Sequence, residues 1–164
     1  MTQPIRFVFD ECALGRCTVE RELRDSLALF GADAELAHLL SKFPPGTKDE
    51  VWIPHLAHDG DWIIFSADLG KNSKKSESLP LICQALGVTH IIMSPALQRR
   101  PSFYRVLAIS SCWTQILGTA EAAKGTGFTL SMSTGKKGQI SFRFQEWHKP
   151  TTAVLILPVQ QQLF

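Results

Sequence analysis

The chain has 164 residues, and its 45% hydrophobic and 20% charged residues are the proportions of an ordinary globular domain. That composition excludes a collagen, a coiled coil and a disordered tail. No apolar run approaches the ~20 residues of a membrane helix, so no membrane partner is expected. The net charge of +2 conceals an asymmetry: residues 1–70 carry 12 acids and 6 bases, whereas residues 71–164 carry 3 acids and 11 bases. An acidic half joined to a basic half suggests a metal cluster beside a surface for a polyanion.

The opening segment MTQPIRFVFDE has no basic stretch followed by an apolar one, so a cytoplasmic location is expected. Residues 5–9 (IRFVF) read as a buried first strand with Asp10 and Glu11 at its tip. Thr18 fits a helix N-cap, with Glu20 and Glu22 in the first turn, Val19, Leu23, Leu27 and Phe30 facing inward, and Gly31 as the stop. Residues 34–43 are helix by composition and strand by their place in the order of elements.

Pro44-Pro45-Gly46 predicts a turn, and Thr47 with Glu50 matches a capping box for a helix to about His58, kinked at Pro54 and closed by Gly60. Residues 62–66 (WIIFS) read as a second buried strand leading into Asp68. A basic loop follows (71–78), then a short helix (79–86) closed by Gly87, a third strand (88–93), and a long helix from about 102 to 123. Residues 128–132 and 139–144 alternate at period two around STGKKG and predict a hairpin. Residues 149–164 carry an apolar patch and a Gln-rich end, read as an extra strand, a partner-binding arm or a tail.

Strands alternating with helices predict an α/β fold with a mainly parallel sheet, whose ligands bind beyond the carboxyl ends of the strands. Acids stand at two such ends, Asp10-Glu11 and Asp68, and a third pair, Asp49-Glu50, opens a helix. A hard divalent cation is held by such oxygen donors, and carboxylates gathered without one repel each other.

Phe9-Asp10-Glu11-Cys12, then Gly46-Thr47-Lys48-Asp49-Glu50-Val51-Trp52-Ile53-Pro54, then Trp62-Ile63-Ile64-Phe65-Ser66-Ala67-Asp68 resembles the compact PIN-like domains, among them the VapC-type toxins and related ribonucleases. The resemblance covers roughly residues 5–145. It implies a three-layer α/β/α sandwich over residues 1–148, with residues 149–164 as an extension or arm. It also implies dependence on Mg²⁺ or Mn²⁺, hydrolysis of RNA phosphodiesters without a covalent enzyme intermediate, a cognate antitoxin protein and a possible homodimer. Carried over, Asp10, Asp49 and Asp68 become the metal ligands, with Glu11 and Glu50 as neighbours that ligate or orient water. The family often has a further acid two residues after the third motif; here that position is Gly70. A catalytically degenerate RNA- or protein-binding module is therefore the alternative, and an interaction subunit acting through its C-terminal arm is a second.

Lys71, Lys74 and Lys75 follow the Asp68 strand and Arg99 and Arg100 follow the next, so all five are expected to hold RNA phosphates. Lys136 and Lys137 in the hairpin turn could touch phosphate but lack the P-loop pattern. The four cysteines form no CxxC pair and are expected to be buried, reduced thiols. His55 and His58 lack an identifiable third zinc ligand, His90 reads as a satisfied core histidine, and no G-x-S-x-G elbow is present. The four tryptophans read as mainly core, with Trp147 or Tyr104 as possible stacking surfaces.

Overall fold

The computed structural model describes residues 3–31, 33–68, 78–122 and 124–147. The predicted C-terminal arm and Lys71, Lys74 and Lys75 lie outside them. Six strands form one sheet: β1 (Ile5–Phe9), β2 (Ala34–His38), β3 (Trp62–Ser66), β4 (His90–Met93), β5 (Gly127–Thr134) and β6 (Ile140–Glu146), in the order β2-β1-β3-β4-β5-β6. All neighbours pair in parallel except β5 and β6, which form the expected antiparallel hairpin. The carboxyl ends of β1 to β5 therefore share one rim.

Burial on both faces explains the largely apolar strands IRFVF and WIIFS. On one face Phe7, Phe9, Ile63, Phe65, Ile91 and Met93 pack against a π-helical turn (Thr18–Leu23), α1 (Arg24–Ala28), α4 (Pro95–Gln98), α5 (Ser102–Ser111) and α6 (Trp113–Ala122). On the other, Val8, Trp62, Ile64 and Ile92 pack against α2 (Asp49–Asp59) and α3 (Leu79–Leu86). This is the α/β/α sandwich.

Several local expectations are corrected. Thr18 is not a cap: Cys17 before it already has helical angles, and no side chain caps the turn. Arg16 and Glu20, paired at 2.9 Å, start the helix earlier. Val19, Leu23 and Leu27 are buried as predicted, but Phe30 is half-exposed. Residues 34–43 resolve into β2 followed by a 3₁₀ turn (Leu39–Ser41). The capping box does not form; Lys48 is the N-cap, and the Thr47 hydroxyl donates instead to the Pro44 carbonyl at 2.6 Å.

Gly60 and Gly87 close α2 and α3 as expected, Gly87 in the left-handed region (φ 66°) that spares it a Cβ clash. The predicted long helix breaks at Cys112 (φ −99°, ψ 6°) into α5 and α6, with Trp113 packed against Phe7 at 5.0 Å between ring centres. The four thiols are free, but only Cys83 and Cys112 are buried; Cys12 and Cys17 are exposed. His90 is buried yet incompletely satisfied: Nδ1 lies 3.3 Å from the Val88 carbonyl oxygen, while Nε2 has no hydrogen-bond partner among the described residues. Trp52, Trp62 and Trp113 are core residues, whereas Trp147 is partly exposed and stands edge-on to His90. No helix among the described residues is long and apolar enough to cross a membrane.

Candidate active site

Phe9 and Phe65 are paired across β1 and β3, so Asp10 and Ser66 follow side by side at the carboxyl rim. Side chains alternate along a strand, and Val8 and Ile64 face α2; one further step of two places Asp10 and Ser66 on that same face. Asp49 lies there too, at the first residue of α2, where an acid also complements the helix dipole.

Asp10 is buried, 8% exposed, and its carboxylate is fixed at both oxygens. The Ala13 amide donates to Oδ1 at 2.8 Å, and the Ser66 hydroxyl donates to Oδ2. The same Ser66 oxygen accepts the Asp68 amide at 3.0 Å, so one hydroxyl ties the first acid to the third. Asp49 Oδ1 accepts the Trp52 indole N–H at 3.0 Å. Glu50 is half-buried and Glu11 exposed.

The electrostatics register the convergence. Burial, reinforced by the charges of Asp49 and Asp68, pushes the Asp10 carboxyl up to about 7 against the pull of its two hydrogen bonds. Asp49 is also raised, by burial first and then by Asp68 and Glu50. The Cys12 thiol, beside the cluster, is pushed up to about 11 by partial burial and by the field of Asp10, Asp68, Asp49 and Glu11. Three distant stretches thus bring negative charge to one place, and among the described residues no ion pair compensates Asp10.

Hard oxygen donors, one of them buried without a counter-charge, fit a divalent cation in kind. As the side chains stand, no group of three His, Cys, Asp or Glu among the described residues is close enough to hold a metal ion. His55 and His58 are both exposed, with His55 edge-on to Phe43.

Arg99 and Arg100 are exposed just after α4, on the rim that carries the acids, and Arg100 lies 5.7 Å over the Tyr104 ring. Two polar residues without an assigned role in the sequence reading complete the rim. Ser66 bridges two acids, and the Gln98 side-chain amide donates to the Ala67 carbonyl and, at 3.2 Å, to that of Met93, sewing α4 to the Asp68 segment. Arg105 Nη1 donates to the Ala13 carbonyl at 2.9 Å and steadies the turn after Asp10.

The sequence model of the PIN like domain matches residues 5–91, which contain all three acid segments. The chain belongs to the PIN-like domain family. Neither the curated proteins nor the solved structures contain a match. PIN-like domains are commonly nucleases, and the acid rim occupies the position where a parallel sheet presents its chemistry. The matched PIN-like segment ends within β4, so α5, α6 and the β5–β6 hairpin lie outside it.

Proposed function

We propose that this PIN-like domain is a divalent-metal-dependent ribonuclease cutting RNA endonucleolytically, acting in the cytoplasm as the toxin of a type II toxin–antitoxin pair. The observation that carries the nuclease reading is Asp10: a buried carboxylate, pinned at both oxygens, raised to about 7 by burial and by like charges from two other chain segments. Such a group is stabilised in its charged form by a cation. The toxin setting is supported by the resemblance of the three acid motifs to the compact VapC-type members.

Asp10, Asp49 and Asp68 would hold Mg²⁺ or Mn²⁺. When bound, the ion supplies neutralisation of charge on the phosphodiester and polarisation of a water. Ser66 and the Ala13 amide orient the Asp10 carboxylate. Glu50 and Glu11 are the acids available to accept a proton from the attacking water, which displaces the leaving oxygen in line. Arg99 and Arg100 hold phosphates of the RNA strand, assisted by Lys71, Lys74 and Lys75.

The test is cleavage of end-labelled single-stranded RNA with Mg²⁺, with Mn²⁺ and with EDTA. Cleavage is expected with either metal, with none in EDTA and none by Asp10→Asn. A folded Asp10→Asn protein as active as the wild type would refute the assignment. Gly70 in place of a further acid, and acids that stand apart, favour one other reading: a degenerate module that binds RNA without cutting. Metal-independent binding with no cleavage in any condition would establish that instead.

A further inference from the structure

The β5–β6 hairpin is a large feature that the acid cluster leaves unexplained. Met93, the last residue of β4, pairs with Leu130, yet β5 continues to Thr134 and β6 pairs with it throughout. Four residues at ~3.3 Å each carry the hairpin about 13 Å past the end of β4. Because β5 is parallel to β4, it projects from the rim that bears the acids.

The tip is built to present charge. Gly135 and Gly138 close the turn through bonds from the Gly135 amide to the Gln139 carbonyl at 2.7 Å and from the Gly138 amide to the Gly135 carbonyl at 3.0 Å. Between them Lys136 and Lys137 are exposed, as is Arg143 on β6. Among the described residues none of the three is held in an ion pair. The hairpin's single acid, Glu146, sits at its base. Apolar residues such as Phe142 and Phe144 pack against the core, while Ser131, Ser133, Ser141 and Arg143 occupy the alternate positions. The arm's exposed charge is cationic and so complementary to a polyanion; Ile140, 42% exposed, is its one exposed large apolar side chain.

β4 lies between the acid-bearing strands and the arm, and the segment after it carries Arg99, Arg100 and Phe103. Phe103, in the first turn of α5, is 64% exposed and edge-on to Tyr104. We propose that the β5–β6 hairpin is a substrate arm that holds single-stranded RNA leading away from the acid rim, with Lys136 and Lys137 on its phosphates and Phe103 stacked on a base. The choice of RNA rests on the ribonuclease reading above.

The experiment is fluorescence anisotropy of a labelled single-stranded RNA of roughly 12 nucleotides, in EDTA so that no cleavage intervenes, over about 0.05–0.5 M salt. Lys136→Ala/Lys137→Ala is expected to flatten the slope of log Kd against log salt by about 1.4, at ~0.7 per phosphate, and to weaken binding about 25-fold at ~0.1 M salt. Phe103→Ala is expected to weaken binding by at least about fivefold with the slope unchanged. Lys124→Ala, paired with Asp61 at the opposite rim, is expected to change neither.

Wild-type affinity and slope in the lysine variant would overturn the arm; if the wild type cleaves RNA with Mg²⁺, the ribonuclease reading then survives alone. Arm-dependent binding by a protein that never cleaves would keep the arm and overturn the ribonuclease. An equal loss with Lys124→Ala would overturn the arm as diffuse attraction. A wild type that binds no RNA would overturn both and leave a protein ligand for the hairpin.

Discussion

Replacing Asp10 by Asn should stabilise the metal-free protein at neutral and alkaline pH while abolishing its proposed activity. A carboxyl moved from 3.8 to about 7 on folding disfavours the folded state by about 4 kcal/mol once charged. The sign follows from proton counting. Between those two values the folded protein holds a proton on Asp10 and the unfolded chain does not, so wild-type stability falls as pH rises from about 4 to about 7 and the term is flat above that. Asn keeps the shape, leaves an oxygen for the Ala13 amide and has no charge to bury. The difference between the two proteins should be small near pH 4 and grow to a few kcal/mol by pH 8, a rise in Tm of about 10 °C for a domain of this size. Urea unfolding in EDTA, followed by tryptophan fluorescence from about pH 4.5 to 8.5, measures it; groups not coupled to Asp10, such as His90, cancel in the difference, while the coupled acids Asp49 and Asp68 remain within it. Adding Mg²⁺ at pH 8 should raise wild-type stability by about 2.7 kcal/mol at one hundred times its Kd and leave Asp10→Asn unmoved. Parallel stability curves for the two proteins across the pH range would refute the reasoning, because Asp10 would then titrate alike in folded and unfolded chains.

Three further outcomes follow from contacts around the site and the hairpin. Ser66→Ala removes a hydrogen bond that lowers the Asp10 pKa, so the acidic limb of the kcat/KM profile on RNA should move upward by about one pH unit; an unmoved limb would detach Ser66 from the chemistry. Gln98→Ala frees the Ala67 carbonyl and should cost about 1 kcal/mol in urea unfolding, with kcat reduced more than KM is raised because the Asp68 segment is no longer tied to α4. A Cβ at Gly127 would lie 2.7 Å from His90 Nε2, so Gly127→Ala should cost about 1–3 kcal/mol, and combining it with His90→Ala should cost less than the two together; additivity within ~0.5 kcal/mol would show that they do not compete for the same space.

The parts of the fold legible in the sequence are those governed by local rules. The strands at 5–9 and 62–66 are runs of large apolar residues, broken by Arg6 and Ser66, because both faces are covered, and α3 ends where Gly87 allows. The errors have a common source. Thr18 and Thr47 are good caps by type, yet one helix starts a turn earlier around Arg16–Glu20 and the other is entered from Lys48 while Thr47 satisfies the Pro44 carbonyl. Cys112 is no helix breaker by propensity; the chain bends there and Trp113 reaches Phe7. In each case a specific contact outranked the residue's own propensity: a partner three or four residues away for the two threonines, tertiary packing for Cys112.

The same division runs through the site. Asp10, Asp49 and Asp68 are visible because acids at strand tips and helix starts are conspicuous one at a time. Ser66 and Gln98 are polar residues of unremarkable type whose meaning appears when a carboxylate 56 residues away, or a carbonyl 31 residues away, is brought alongside. The charge asymmetry gains its meaning from the same step. A parallel sheet delivers the carboxyl ends of β1 and β3, which lead into the acids, and of β4 and β5, which lead into Arg99, Arg100 and the lysine turn, to one rim. Had the acidic and basic halves been joined in antiparallel order, their charges would have alternated between opposite ends of the sheet. The topology instead sets three acids, Asp10 buried and Asp49 and Asp68 partly so, beside an open positive border. That arrangement suits a ligand carrying regularly spaced negative charge, approached through cations and, on the proposed nuclease reading, held by a metal among the acids.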